Sequence, residues 1–168
     1  MRPTPADPEA WNAYLAEDNA TQARKRVSAD VLLRDEQGRV LLVKPTYKPG
    51  WDLPSGMAEA NEAPDDAARR ELKEEIGLDV TLHGLLVIDW VPPHGPWGDQ
   101  LAFIFDGGTL SAGQVRGLRP HDSELSAVRL VTPDEAAGML RDRLLNRFQA
   151  SRATREESAP VYLRDSTA

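Results

Sequence analysis

Glu71, Glu74 and Glu75 fall within five consecutive residues, and their type and spacing could do chemistry. On an α-helix, positions i, i+3 and i+4 share a face, so the three carboxylates meet on one patch. Like charges at that spacing repel and destabilise a bare helix by about 0.2–0.5 kcal/mol per pair. A cation held in the patch would reverse the sign. Hard oxygen donors of this kind suit Mg²⁺ or Mn²⁺. Mg²⁺ keeps several waters and completes its shell from substrate phosphate oxygens. The plain alternative is a solvated acidic helix face, and the triad alone does not decide between them.

The wider spacing does more. Gly56 is followed by five residues and then Glu62. Seven residues later come Arg70-Glu71-Leu72, then Lys73, Glu74-Glu75, Ile76 and Gly77-Leu78. This resembles the box of the Nudix hydrolase family (MutT-like), G-x5-E-x7-R-E-U-x-E-E-x-G-U, where U is a bulky aliphatic residue. Every fixed position matches over residues 56–78. The preceding Trp51-Asp52-Leu53-Pro54-Ser55-Gly56 is close to the Trp and Leu-Pro-Gly-Gly that often lead into such a box. Three departures stand out. Ser55 replaces the first glycine of that pair, and Asn61 replaces the glycine that commonly precedes the box glutamate. Asn visits the left-handed region more readily than most residues, so the loop shape should survive. Ala63 stands where a capping Ser or Thr is common, at an expected cost of about 1 kcal/mol.

The resemblance implies an α/β fold, a Nudix-type α/β/α sandwich around a mixed sheet. It implies Mg²⁺ (or Mn²⁺) held by Glu71, Glu74 and Glu75, with the carbonyl of Gly56 adding a ligand. Glu62 and Arg70 then tie the loop to the helix and orient the carboxylates. The implied reaction is hydrolysis of a diphosphate bond in a nucleoside diphosphate-linked substrate: water attacks one phosphorus and a phosphate ester leaves. The general base stays open among the box carboxylates Glu75 and Glu71 and a distal residue. Glu124, just before a late strand, is the distal candidate. The competing class is a Nudix-like module that binds a nucleotide derivative without turning it over. An isopentenyl-diphosphate isomerase on the same fold would need a catalytic Cys, and the chain has none.

The elements that must position these groups can be read from pattern. Pro64 to Ile76 is the clearest helix, with Pro64 in the first turn, Asp65 and Asp66 at the positive end and Gly77 as stop. Ala68, Leu72 and Ile76 share its apolar face. Val27–Arg34 and Arg39–Val43 read as a hairpin around Asp35-Glu36-Gln37-Gly38. Strands are expected at 80–91, 101–105 and 124–131. Thr132-Pro133-Asp134-Glu135 opens a helix through a capping box, reaching Phe148. Domain bounds follow: residues 1–25 an N-terminal helical extension, 26–150 the catalytic domain, 151–168 a polar, loosely held tail. In the extension, Asp7 caps a short helix begun by Pro8, and Trp11, Tyr14 and Leu15 share a face expected to pack on the core. A dimer contact or a lid is the sharper alternative for that face.

Substrate contacts are less marked. Lys44 ends a strand and Lys48 follows in a turn, and either could meet a phosphate. His94 and Trp97 sit in a Gly- and Pro-rich loop, where an aromatic could stack on a base or sugar. The formal net charge of −7 argues against long nucleic acid as partner and favours a small phosphorylated one. With no cysteine, disulfides, thiolate metal sites and a Cys nucleophile are excluded. No apolar run is long enough to span a membrane, and no apolar signal core follows the N-terminus. The expected location is the cytoplasm.

Overall fold

The computed structural model of the chain describes residues 2–157 and 159–166. Its elements are α1 (Pro8–Thr21), β1 (Arg26–Arg34), β2 (Val40–Pro45), β3 (Ser55–Met57), α2 (Pro64–Ile76), β4 (Gly84–Val91), β5 (Gln100–Thr109), α3 (Ala112–Gly117), β6 (Leu125–Val131), α4 (Pro133–Met139), α5 (Asp142–Glu157) and β7 (Val161–Arg164). The strands form one sheet in the order β6-β2-β1-β5-β4-β7, with β3 paired to β1. It is a mixed sheet. β1 with β5 and β4 with β7 run parallel, while the other pairs run antiparallel.

β1 explains the layering. Successive strand residues face opposite sides. Ala29, Val31 and Leu33 point into a core shared with Ala68, Leu72 and Ile76 of α2. Leu32 points the other way, into a core with Leu140, Leu145 and Phe148. Both faces of its second half are covered, so Val31, Leu32 and Leu33 form a continuous apolar run, whereas Ser28 and Asp30 alternate with Val27 and Ala29 in the first half. The result is an α/β/α sandwich.

The turn from β1 to β2 is built by Asp35, whose Oδ1 accepts from the amides of Gln37 and Arg39 at 3.0 and 2.8 Å. α2 has the predicted bounds. Ala63 provides no side-chain cap, Pro64 opens the helix, and Gly77 ends it at φ 68°. Asn61 takes φ 63°, so the residue standing for glycine does occupy the left-handed region.

The structure departs from expectation in several places. The strand expected at 80–91 begins at Gly84, and Val80 and Leu82 pack on the core without pairing. α3, with its Ser111–Gln114 capping box, was not expected. The Thr132–Glu135 capping box is present, but the helix stops at Met139. Leu140 turns extended (ψ 145°) and bridges to Trp51, and α5 starts at Asp142. α1 has the expected Asp7 cap, at 3.1 Å to the Ala10 amide, yet it buries none of its residues. Trp11 instead stacks on Tyr14, centroids 5.7 Å apart.

The expectation of a loosely held tail from residue 151 also gives way. α5 continues to Glu157, and β7 adds a strand beside β4. Ser151 and Thr154 are buried, and their hydroxyls donate to the carbonyls of Phe148 and Ala150. Polar residues that satisfy themselves on their own helix can be buried, and polarity alone had hidden this helix. Among the described residues no helix is long and apolar enough to cross a membrane.

Candidate active site

The box folds as β3, a loop and α2. β3 pairs antiparallel with β1, placing Gly56 opposite Ala29 and Ser55 opposite Asp30. Gly56 is obligatory in this arrangement. A Cβ there would lie 1.9 Å from Cδ of Glu71, so the absent side chain is the space the carboxylate occupies. The loop is then clamped to the helix by Arg70. Its Nε donates to Glu62 Oε1 at 2.8 Å and its Nη2 to Glu62 Oε2 at 2.9 Å, a two-pronged pair. Nη2 also donates to the carbonyl of Met57 at 3.0 Å. The pairing holds the Glu62 carboxyl down at about 2, with a second contribution from the Glu59 amide.

Arg70 also reaches the acidic triad. Its Nη1 lies 2.8 Å from Glu71 Oε1 and 3.3 Å from Glu74 Oε2. This corrects the repulsion argument from sequence, because a guanidinium already compensates two of the three carboxylates. Glu75 is different. It is buried, and among the described residues its carboxylate accepts one hydrogen bond, from the Ser55 amide to Oε2 at 3.3 Å, and makes no ion pair. Burial pushes its carboxyl up to about 8, the charges of Glu71, Asp122 and Glu124 push the same way, and the Ser55 amide opposes them. Burial raises Glu71 as well, against the pull of Arg70. Glu74 is more than half exposed.

Among the described residues no three acidic or histidine side chains sit close enough together to cage a metal ion. The donors nevertheless fit a hard divalent cation. Glu71 and Glu75 are oxygen donors, Glu75 is a buried carboxylate with no positive partner among the described residues, and the Gly56 cradle leaves the Glu71 carboxyl against the backbone.

A cleft of about 840 Å³ opens on the α5 face of the sheet. Its floor is the even-numbered face of β1: Arg26, Ser28 and Asp30. Small polar side chains at 28 and 30 leave space between sheet and helix that larger residues would fill. Gly56, Tyr47, Glu71 and Glu124 line the cleft, together with Arg141, Arg143 and Arg147. Asp30 is buried and its carboxyl is pushed up to about 6 by burial, with Arg147 opposing and Asp52 reinforcing.

The predicted residues therefore divide. Glu71, Glu124, Lys48 and His94 line the cleft together with Gly56. Glu75 stands behind Ser55, and Glu62 and Arg70 brace the box. Lys44 does not reach the cleft: it is exposed on β2, opposite Ala127 of β6. Trp97 is also outside it, half exposed, with the Arg26 guanidinium 4.5 Å from its ring centre. Sequence reading missed Arg26, Asp30, Asp52 and the three arginines at 141, 143 and 147. Only the i, i+4 spacing of Arg143 and Arg147 hinted that two of them share a face.

A family model of the NUDIX domain matches residues 24–153. The chain belongs to the Nudix hydrolase family. Among curated Nudix relatives, the Phosphatase NudJ of Escherichia coli O1:K1 / APEC is 32% identical over 102 residues. That match spans 59% of this chain and 63% of NudJ. Among solved structures, the MutT protein from Methanosarcina mazei Go1 superposes with a TM-score of 0.64 at 21% identity, covering 82% of this chain and 99% of that one. The NUDIX domain of Shewanella oneidensis NrtR, solved in complex with ADP ribose, gives 0.67 at 19% identity, covering 89% and 99%. At these identities the structural likenesses establish the Nudix fold and nothing finer.

Proposed function

We propose that the protein is a divalent-metal-dependent pyrophosphohydrolase of a small nucleoside diphosphate-linked substrate. The observation that carries this reading is Glu75. A buried carboxylate with no cationic partner among the described residues, beside Glu71 and bonded to the amide of the cleft-lining Ser55, is costly unless a cation joins it. The names of the relatives, a phosphatase and a domain bound to ADP ribose, agree with such a substrate.

Glu71, Glu75 and the Gly56 carbonyl would hold Mg²⁺ or Mn²⁺, while the exposed Glu74 pairs with Arg70. When bound, the ion neutralises the diphosphate and lowers the pKa of bound water. The chain's own residues do the rest. Arg70, anchored on Glu62 and the Met57 carbonyl, fixes the rotamer of Glu71. Glu124 lines the same cleft as Glu71 and is our choice for the base that takes the proton from the attacking water, with Glu71 and Glu75 as ligands. Lys48 and His94 contact the substrate from the cleft wall. Water adds to one phosphorus of the bridge, the P–O bond of that bridge breaks, and a phosphate ester leaves.

The test is a panel of nucleoside triphosphates, nucleotide sugars, dinucleoside polyphosphates, NADH and ADP-ribose, incubated with Mg²⁺ or Mn²⁺. At least one member should release phosphate or a monophosphate, and a chelator should stop it. Tight binding of a member that is never turned over would favour a binding module instead.

A further inference from the structure

A helix leaves its last carbonyls without partners of its own. At the end of α2 the chain itself closes two of them. The Gly77 amide donates to the Lys73 carbonyl at 3.1 Å, and the Leu78 amide to the Leu72 carbonyl at 3.2 Å. The Glu75 carbonyl is met from elsewhere: the amide of His121 donates to it at 2.8 Å. The His121 ring is seated on Gly77. A Cβ at Gly77 would stand 2.2 Å from its Cε1, 2.6 Å from Nε2 and 2.8 Å from Nδ1. Gly77 therefore does two things. It takes the left-handed φ of 68° that ends the helix, and it leaves the space in which His121 docks.

Glu124 follows three residues later. Asp122 Oδ1 accepts from the Glu124 amide at 2.9 Å and so folds the intervening chain into a tight turn. The other side of this turn is held by Thr46, just past β2. The Thr46 amide donates to the Glu124 carbonyl at 2.7 Å, and its hydroxyl lies 3.1 Å from the same oxygen and 3.2 Å from the Ser123 carbonyl. Residues 121–124 thus span from the end of α2 to the end of β2. Glu124 itself is exposed, so its place on the cleft wall is set by the backbone that carries it rather than by packing of its side chain. That backbone is tied to α2 at the carbonyl of Glu75, the buried carboxylate of the site. Without the His121 contact the turn would hang from the Thr46 side.

We propose that His121 is a positioning residue: seated on Gly77 and bonded to the Glu75 carbonyl, it fixes the turn that carries Glu124 against the helix that carries Glu75. It does not line the cleft, and it acts on the reaction through Glu124. The consequence for turnover rests on the reading of Glu124 as the base, but the placement of the turn can be measured without turnover.

The experiment pairs amide hydrogen exchange, followed residue by residue by NMR on the full chain, with steady-state turnover of the best panel substrate in Mg²⁺. His121 is exposed, so His121→Ala should melt near wild type. In that variant the protection of the residue 121 and Thr46 amides should fall by about tenfold or more. Its kcat should fall by about tenfold with KM unchanged. His121→Phe, which keeps a flat ring on Gly77, should restore most of both. In a Glu124→Gln background, His121→Ala should cost nothing further, because the group it positions is gone. Unchanged amide protection in His121→Ala, or an equal loss of kcat in both backgrounds, overturns the proposal. Failure of the base reading would appear separately, as a Glu124→Gln variant with wild-type turnover, and the exchange data would then still decide whether His121 holds the turn.

Discussion

Gly56 makes the smallest testable statement about the site. Its hydrogen occupies the place where a methyl would strike the Glu71 carboxyl at 1.9 Å. The obstacle is the end of a flexible side chain, so Gly56→Ala should displace the carboxylate rather than unfold the protein. We expect turnover on the best panel substrate to fall by about 10²-fold or more, since a misplacement of about 1 Å carries that cost. The melting temperature should change little. A large drop in melting temperature with unchanged kcat would show that Gly56 serves packing alone. The neighbouring Ser55 illustrates what sequence reading could and could not supply. The need for a small residue in this turn was legible from the Leu-Pro-Ser-Gly pattern. That the Ser55 amide would donate to the buried Glu75 carboxyl was not, because it depends on the pairing of β3 with β1.

At the scale of the element, the Glu62–Arg70 clamp holds the loop to α2, and its strength depends on pH. Glu62 falls from its ordinary 4.5 to about 2 on pairing with Arg70. A carboxylate whose folded value is depressed stabilises the fold above its unfolded value and loses that contribution as pH falls through the folded one. Wild type should therefore melt above Glu62→Gln at neutral pH, with the gap closing as pH drops from about 4.5 toward 2. A gap independent of pH would mean the glutamate acts through packing, not charge. α2 itself was fully legible, with Pro64 at its start, Gly77 at its end and an apolar stripe at helical spacing between them. α4 and α5 were not separated. The break at Leu140 comes from its contact with Trp51 across the fold, which no local pattern announces.

For the whole molecule, the sandwich was readable in outline from strands interrupted by long helices, and the box from one end of the chain's middle third. The cleft was not. It is assembled by β1, the segment after β2 and the start of α5, which are far apart in sequence, and its arginines look like ordinary surface charge until the fold brings them together. The closing segment was misread for a related reason. β7 is a short strand that gains its place by pairing with β4, and Ser166 donates to the Arg143 carbonyl. Ending the chain at Ala150 should strip β4 of a partner and expose the second core. We expect the melting temperature to drop by roughly 10 °C or more. A truncated chain that melts like the full one would contradict the integration of this segment.

The central claim is that Glu75 serves a bound cation rather than the fold. The most direct measurement is steady-state turnover of Glu75→Gln beside wild type, with Mg²⁺ at saturation and a thermal melt of each in EDTA. The amide keeps the size of the side chain and removes a charge that burial disfavours. The account predicts a melting temperature in EDTA at least as high as wild type, together with a loss of about 10²–10⁴-fold in kcat. A variant that hydrolyses the substrate at the wild-type rate would contradict it.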